Sequence, residues 1–336
     1  MKELLELLLE RKSLTAGQAE QLMTDLMEGL VPPAQISGLL VALRSKGESV
    51  SELLGFARVM RAKAVPVSLN LTGLTDTCGT GGDGSHSLNI STAVALVLAG
   101  AGVPVVKHGN RAVSGQTGSA DLLEALGIKT DWNPGEVAAG LQEASFAFLY
   151  APSYHPAMKA VAPVRRELGI KTVFNMLGPL TNPCRPEYQL IGVYSLDKAR
   201  LMAEALFQDR CNRALLVHSE CGWDEAVPSC PFHLLQVDEK GITASIINPK
   251  DLGVKTCRLE ELAGGDSAFN GARIQQLLEG ETGPLCEAVS LNAGLALYAC
   301  RREKTMADGV NSARNVLASG KPLAVVHKLR KLMPNV

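Results

Sequence analysis

The hydrophobic rhythm of the chain changes once, and that change limits the folds open to it. Up to about residue 65, apolar positions recur at helical spacing, as in Leu4, Leu5 and Leu8 and again in Ala19, Leu22, Met23 and Leu26. That is the pattern of short helices each burying one face. Ser13-Leu14-Thr15 gives a start signal, Gly29 to Pro33 ends one helix and begins the next, and Ser49 to Ser51 opens a fourth. From about Leu74 short apolar runs alternate with longer helical stretches, at Val103 to Val106, Ala147 to Tyr150, Leu190 to Tyr194 and Ala214 to His218. Such alternation predicts a mostly parallel sheet covered on both faces. Residues 155 to 182 break it, reading as helices and polar turns without a convincing strand, and are expected to rejoin the helical unit.

The expected fold class is therefore α/β, with a small all-helical domain over residues 1–70, joined by part of 155–185, and a large α/β domain over 71–336. At 336 residues and 46% hydrophobic composition the chain can bury one large core and a smaller one. A net charge of −1 argues against a surface built for nucleic acid or anionic membrane. Eight cysteines without a CxxC pair read as reduced thiols of a cytoplasmic protein, and Cys211, Cys221 and Cys230 lack the spacing of structural zinc. MKELLELLLERK is an amphipathic helix with no cleavage site, so no secretory signal is expected. The longest apolar run, Ala93 to Val106, is interrupted by glycines and Pro104 and is too short to cross a bilayer.

Chemistry concentrates in the stretch Asp76 to Thr92, DTCGTGGDGSHSLNIST. Gly79, Gly81, Gly82 and Gly84 let backbone N–H groups close on an anion, and Asn89, Ser91 and Thr92 stand where a helix begins. The loop fits neither the Walker nor the dinucleotide fingerprint, because Asp83 follows where the first needs lysine and no apolar helix entry follows the last glycine. A carboxylate beside a phosphate cradle is repulsive unless a divalent cation or a ligand hydroxyl intervenes. By itself a glycine cluster is as often a surface turn.

Three further stretches bear on that choice. An apolar strand is expected to deliver Lys107 to its end, where α/β sheets bind ligands, and the loop after it adds Arg111, hydroxyls and glycines. Asp224-Glu225 follows another strand; adjacent carboxylates can bridge Mg²⁺, although exposed acidic pairs are commonplace. Arg165-Arg166 occupies a helix start in the crossing segment, so one guanidinium can face a cleft and hold a carboxylate while the other stays in water. There is no nucleophile elbow and no HExxH, which disfavours covalent hydrolysis.

Taken together, DTCGTGGDGSHSLNIST, VKHGNRAVSG, GSADLLEALG, HPAMKAVAPVRRELGIKTVFNMLGPLTNP, GWDEAV and VSLNAGLALY, in that order and spacing, resemble the anthranilate phosphoribosyltransferases of the nucleoside phosphorylase-like class. The resemblance runs nearly the full length. It implies a helical domain hinged to the α/β domain, homodimers formed through the helical domain, and transfer of ribose 5-phosphate from 5-phosphoribosyl 1-diphosphate to anthranilate. It implies that the ribosyl donor sits against Gly79, Gly82, Asp83, Ser87, Asn89, Ile90, Ser91, Thr92, Lys107, His108, Gly109, Asn110, Arg111, Ala112, Val113, Ser114, Gly115 and Ser119. Anthranilate would be held by Gly79, Asn110 and Arg165, and two Mg²⁺ ions per subunit by Ser91, Asp224 and Glu225. Lys107 and His108 are the catalytic candidates, the first for the leaving diphosphate and the second as a proton acceptor.

The chain departs from the family's usual pattern at Ala112-Val113-Ser114-Gly115-Gln116, where two serines and a basic residue are common, and at Ala226-Val227-Pro228. The first departure leaves the diphosphate more dependent on backbone N–H groups. A pyrimidine nucleoside phosphorylase of the same fold class is the alternative enzyme, disfavoured by Asp224-Glu225. A non-catalytic nucleic-acid-binding relative is disfavoured by the low net charge. No nucleic acid or membrane partner is expected.

Overall fold

The protein is described here by a computed structural model, over residues 1–112 and 116–335. Helices α1 (Lys2–Leu9), α2 (Ala16–Met27), α3 (Pro33–Lys46) and α4 (Val50–Ala62) open the chain without a strand. The start signals act as expected: Thr15 and Ser49 form reciprocal capping boxes with Gln18 and Glu52, and Pro33 stands in the first turn of α3.

The sheet strands follow: β1 (Thr75–Asp76), β2 (Val105–Gly109), β3 (Phe146–Tyr150), β4 (Tyr188–Gly192), β5 (Arg213–Ser219), β6 (Phe232–Asp238) and β7 (Gly241–Ile247). Their order is β3-β2-β1-β4-β5-β6-β7, parallel through β5. Connecting them are α5 (Ile90–Gly100), α6 (Ser119–Ala125), α7 (Pro134–Ala144), α8 (Ala151–Tyr154), α9 (Ala162–Leu168), α10 (Phe174–Leu180) and α11 (Leu196–Gln208). The chain ends in α12 (Ser267–Leu278), α13 (Pro284–Ala299), α14 (Met306–Ala318) and α15 (Lys321–Leu332). From β1 the chain goes first to β2 on one side and later to β4 on the other, which makes the C-terminal ends of β1 and β4 the topological switch point where open α/β sheets bind ligands.

Two features differ from the sequence reading. The second apolar strand begins at Val105 and runs to Gly109, paired residue for residue with Phe146–Tyr150. Lys107 therefore lies within the strand and is only 2% exposed, where a strand-end position had been expected. The antiparallel pair β6–β7 was not anticipated: only Glu239 and Lys240 separate Asp238 from its partner Gly241, leaving no room for a crossover helix.

Helix α5 is buried along almost its whole length and packs against α13, which explains why its sequence is apolar all round. The larger core joins these helices to β2 and β3 and to Leu190, Leu215, Val217, Phe232 and Leu234 of β4–β6. The second core begins with α1–α4, and Val161, Val164, Val173, Phe174, Met176 and Leu177 from the strandless segment 155–182 pack into it. It is not confined to helices. Through Ala199, Met202 and Ala203 of α11 it reaches Ile191, Ala214, Leu216, Leu235 and Val237 on one sheet face. Among the described residues no helix is long and apolar enough to cross a membrane.

Candidate active site

The loop between β1 and α5 crosses the open end of the sheet, with Gly81, Gly82 and Gly84 at φ of 61°, 75° and 82°. Residues with a Cβ rarely adopt these angles, so the glycines are what allow the turn. The loop is anchored from β4, where Thr80 N–H donates to the Gly192 carbonyl at 2.8 Å. Gly192 has a second function: a Cβ there would collide with the backbone carbonyl of Asp224, so its lack of a side chain lets the loop after β5 lie against β4.

That approach builds the acidic side of a cleft of about 650 Å³. Asp224 N–H donates to Asp83 Oδ2 at 3.1 Å, and Asp224 Oδ2 accepts from Gly81 N–H at 2.9 Å. Glu225 accepts from Ser87 Oγ at 3.1 Å and from Ser91 N–H at 3.3 Å. The α5 N-terminus thus already faces a carboxylate at Ser91. Burial, then the neighbouring Asp83, pushes Asp224 up to about 7. Burial, then Asp224 and Asp83, holds Glu225 well above the carboxylate range. No lysine or arginine among the described residues forms an ion pair with any of the three.

Opposite these acids lies one buried cation. Lys107 Nζ donates to the Thr77 carbonyl at 3.2 Å, to Thr77 Oγ1 at 3.3 Å and to Ser91 Oγ at 3.5 Å. Asp76 behind it is fully buried and accepts from Asn182 Nδ2 at 2.8 Å and His108 N–H at 3.3 Å. Burial raises Asp76 to about 6 against the pull of Lys107. Among the described residues Thr92 Oγ1 has no hydrogen-bond partner; it is buried and lines the same cleft.

Burial, with His155 and Lys107 adding to it, pushes His108 down to about 3, and burial pushes His155 down to about 4. Their rings lie 5.2 Å apart, and His108 Nδ1 meets the Gly178 carbonyl at 3.0 Å. Arg111, which the resemblance places against the ribosyl donor, lines the cleft with its guanidinium turned to α6. Its guanidinium pairs with Asp121 at 2.9 Å and Glu124 at 2.6 Å, because α6 presents both acids one turn apart beside it. Asn110 and Ser119 clasp each other through backbone and hydroxyl at 3.1 Å.

On the helical side, successive arginines divide as expected: Arg166 is exposed, whereas Arg165 turns into the cleft with its guanidinium 4.9 Å above the Phe174 ring. Burial lowers its pKa. Arg165 makes no ion pair among the described residues.

The cleft brings together Gly79, Gly82, Asp83, Ser87, Asn89, Ile90, Ser91, Thr92, Lys107 to Ala112, Ser119, Arg165, Asp224 and Glu225. Val113, Ser114 and Gly115 lie outside the described residues. Sequence reasoning missed Asn270, which reaches from α12 to Asn89 Oδ1 at 2.9 Å, and Lys171, whose Cε lies beside Gly82. No local motif marks either one.

The chain matches the helical bundle domain of the glycosyl transferase family over residues 2–64 and its a/b domain over 71–323. An anthranilate phosphoribosyltransferase of Symbiobacterium thermophilum is 45% identical over 331 residues, covering 98% of this chain and 97% of that one. The crystal structure of the anthranilate phosphoribosyltransferase from Thermus thermophilus superposes with a TM-score of 0.92 at 43% identity, covering 98% of each chain. That of Saccharomyces cerevisiae, in complex with PRPP and Mg, shares the fold at a TM-score of 0.90 and 24% identity, covering 98% of this chain and 96% of its own. With two-domain coverage and this identity over nearly its whole length, the chain belongs to the anthranilate phosphoribosyltransferases of the glycosyl transferase family.

Proposed function

We propose that the protein transfers the 5-phosphoribosyl group of 5-phosphoribosyl 1-diphosphate to the amine of anthranilate, releasing diphosphate, as a step of tryptophan biosynthesis. The observation that carries this reading is one cleft bounded by a glycine loop and buried lysine, a carboxylate cluster, and an unpaired arginine on the helical side. The first can take a phosphorylated donor, the second a divalent cation, and the third an aromatic acid's carboxylate. The helical unit over residues 1–70 with part of 155–185, and the α/β unit over 71–336, are proposed to hinge about this cleft. Leu9 and Val41, 62% and 44% exposed, suit the helical unit to a homodimer contact. A cytoplasmic location agrees with eight free thiols.

The acidic side fits Mg²⁺. Among the described residues no lysine or arginine pairs with Asp83, Asp224 or Glu225, and the three do not close into a ready set of ligands around one point. That suits an ion that keeps several waters and takes substrate phosphates. Asp224, Glu225 and Ser91 would hold it, with Asp83 on the ligand side, and two ions are proposed per subunit. When bound, Mg²⁺ neutralises charge on the diphosphate as it departs.

The protein's own groups do the remainder. The glycine loop and Thr92 hold the phosphorylated donor, and Lys107 places a buried positive charge where diphosphate charge accumulates. Arg165 orients the acceptor so that its amine, neutral at physiological pH, faces the anomeric carbon. Oxocarbenium character at that carbon lowers the demand on the nucleophile. No general base is assigned, since His108 holds a proton too weakly to serve as one at neutral pH.

The direct test is the loss of anthranilate fluorescence in the presence of the ribosyl donor and Mg²⁺, with substituted anthranilates as competing acceptors. No fluorescence change with enzyme saturated in donor would overturn the reading. Arg165→Ala is expected to raise KM for anthranilate by about 10-fold or more, the worth of a charge-assisted hydrogen bond, with a much smaller effect on the donor. Equal effects on the two substrates would argue against carboxylate capture.

Metal dependence carries a pH signature. The folded-state pKa values of Asp224 and Glu225 lie above those of the unfolded chain, so their contribution to metal-free stability is present at low pH and lost as pH rises, for Asp224 through about 7. Mg²⁺ offsets that loss by binding the ionised forms. The rise in unfolding midpoint on adding Mg²⁺ should therefore grow between about pH 5 and pH 8, read by thermal melts with Mg²⁺ and with chelator.

A further inference from the structure

Cys221 and Cys230 stand at the neck of the loop that carries Asp224 and Glu225. Strands β5 and β6 are antiparallel with Ser219 opposite Phe232, and beyond them Glu220 N–H donates to the Pro231 carbonyl at 2.9 Å. Beyond Glu220 the chain turns, with Gly222 N–H donating to the Ser219 carbonyl at 2.9 Å, and this turn sets Cys221 against Cys230. The Cys221 N–H donates to Cys230 Sγ at 3.3 Å, and the two sulfurs are 2.6 Å apart. Both thiols are free and partly exposed. Among the described residues no other two sulfurs approach within hydrogen-bonding distance.

We infer that Cys221 and Cys230 form a redox-active dithiol, oxidised by a small-molecule disulfide such as oxidised glutathione to an intrachain disulfide that ties off the carboxylate-bearing loop. One cysteine thiolate attacks a sulfur of the small disulfide, forming a mixed disulfide and expelling one small thiolate. The second cysteine thiolate attacks the protein sulfur of that mixed disulfide and expels the other. Two electrons pass from the cysteine pair to the small disulfide, and the two cysteine protons end on the two released thiols.

The new bond closes the chain from Cys221 to Cys230 around the segment in which Asp224 N–H meets Asp83 and Ser219 Oγ meets the Glu225 carbonyl. The turn already holds the two sulfurs 2.6 Å apart, so closure ties this arrangement down, and the unfolded chain loses freedom it would otherwise regain. The dithiol does not depend on the transferase reading; only the loop's role in holding a metal does.

The test incubates the folded full-length protein with oxidised glutathione, then maps disulfides by peptide mass spectrometry and measures thermal unfolding. The expected product joins Cys221 to Cys230, retains no glutathione, unfolds about 3–6 °C higher, and reverts with reductant. Cys230→Ser should instead trap glutathione on Cys221, and Cys221→Ser should trap it on Cys230, with no gain in midpoint for either. Two thiols still open to alkylation after incubation, or glutathione retained on the parent protein, would overturn the dithiol. A joined pair with an unchanged midpoint would overturn the locking of the loop. Neither readout requires catalytic turnover.

Discussion

Asp224→Asn combined with Glu225→Gln is expected to lower magnesium-dependent turnover by about 100-fold or more while leaving the fold intact. Each amide keeps an oxygen for the bonds seen now, from Gly81 N–H to residue 224 and from Ser87 or Ser91 to residue 225. What disappears is the charge, which the metal-free fold holds at a cost. In chelator at about pH 8 the double variant should therefore melt above the parent, and its midpoint should no longer respond to Mg²⁺. A magnesium titration of initial rates, with parallel melts, checks both. Unchanged kinetics across that titration would remove the metal role from the pair.

Lys107→Met should lower kcat/KM for the ribosyl diphosphate by about 100- to 1000-fold, the range for losing a preorganised charge from a dry site. Methionine keeps the length of the side chain in a strand where Val106 and Phe148 are fully buried, so packing survives. Asp76 loses the cation facing it and keeps its bonds from Asn182 and His108. The midpoint should consequently fall, modestly if Asp76 takes up a proton. Donor binding by calorimetry separates the two contributions. A folded variant with parental donor affinity would reduce Lys107 to a strut between β2 and Thr77.

The helical start and the parallel strands were legible because both periodicities are local, and capping by Thr15 and Ser49 uses residues only three positions apart. The division of Arg165 from Arg166 could also be read from helix geometry. The β6–β7 hairpin was passed over because alternation of strand and helix hid a turn of two residues. Lys107 was placed too far out, since where a strand ends depends on its neighbour β3 and not on its own apolar run. Arg111 looked available until α6 was seen to set Asp121 and Glu124 beside it. Contacts such as Asn89 with Asn270 and Asp83 with Asp224 join residues far apart in the chain, and no spacing rule reaches that far. Only the ordered set of fragments shared with a family tied those loops to one site.

The clasp between Asp83 and Asp224 spans 141 positions of chain. During synthesis the ribosome delivers the glycine cradle early and the acidic loop only after β4 and β5 have been translated. A nascent chain therefore carries half a cleft for much of its time on the ribosome, with the glycine loop and Lys107 made long before Asp224 and Glu225. The donor would find its complete site only on a chain whose late strands have docked, and its binding would favour that finished state over any earlier one.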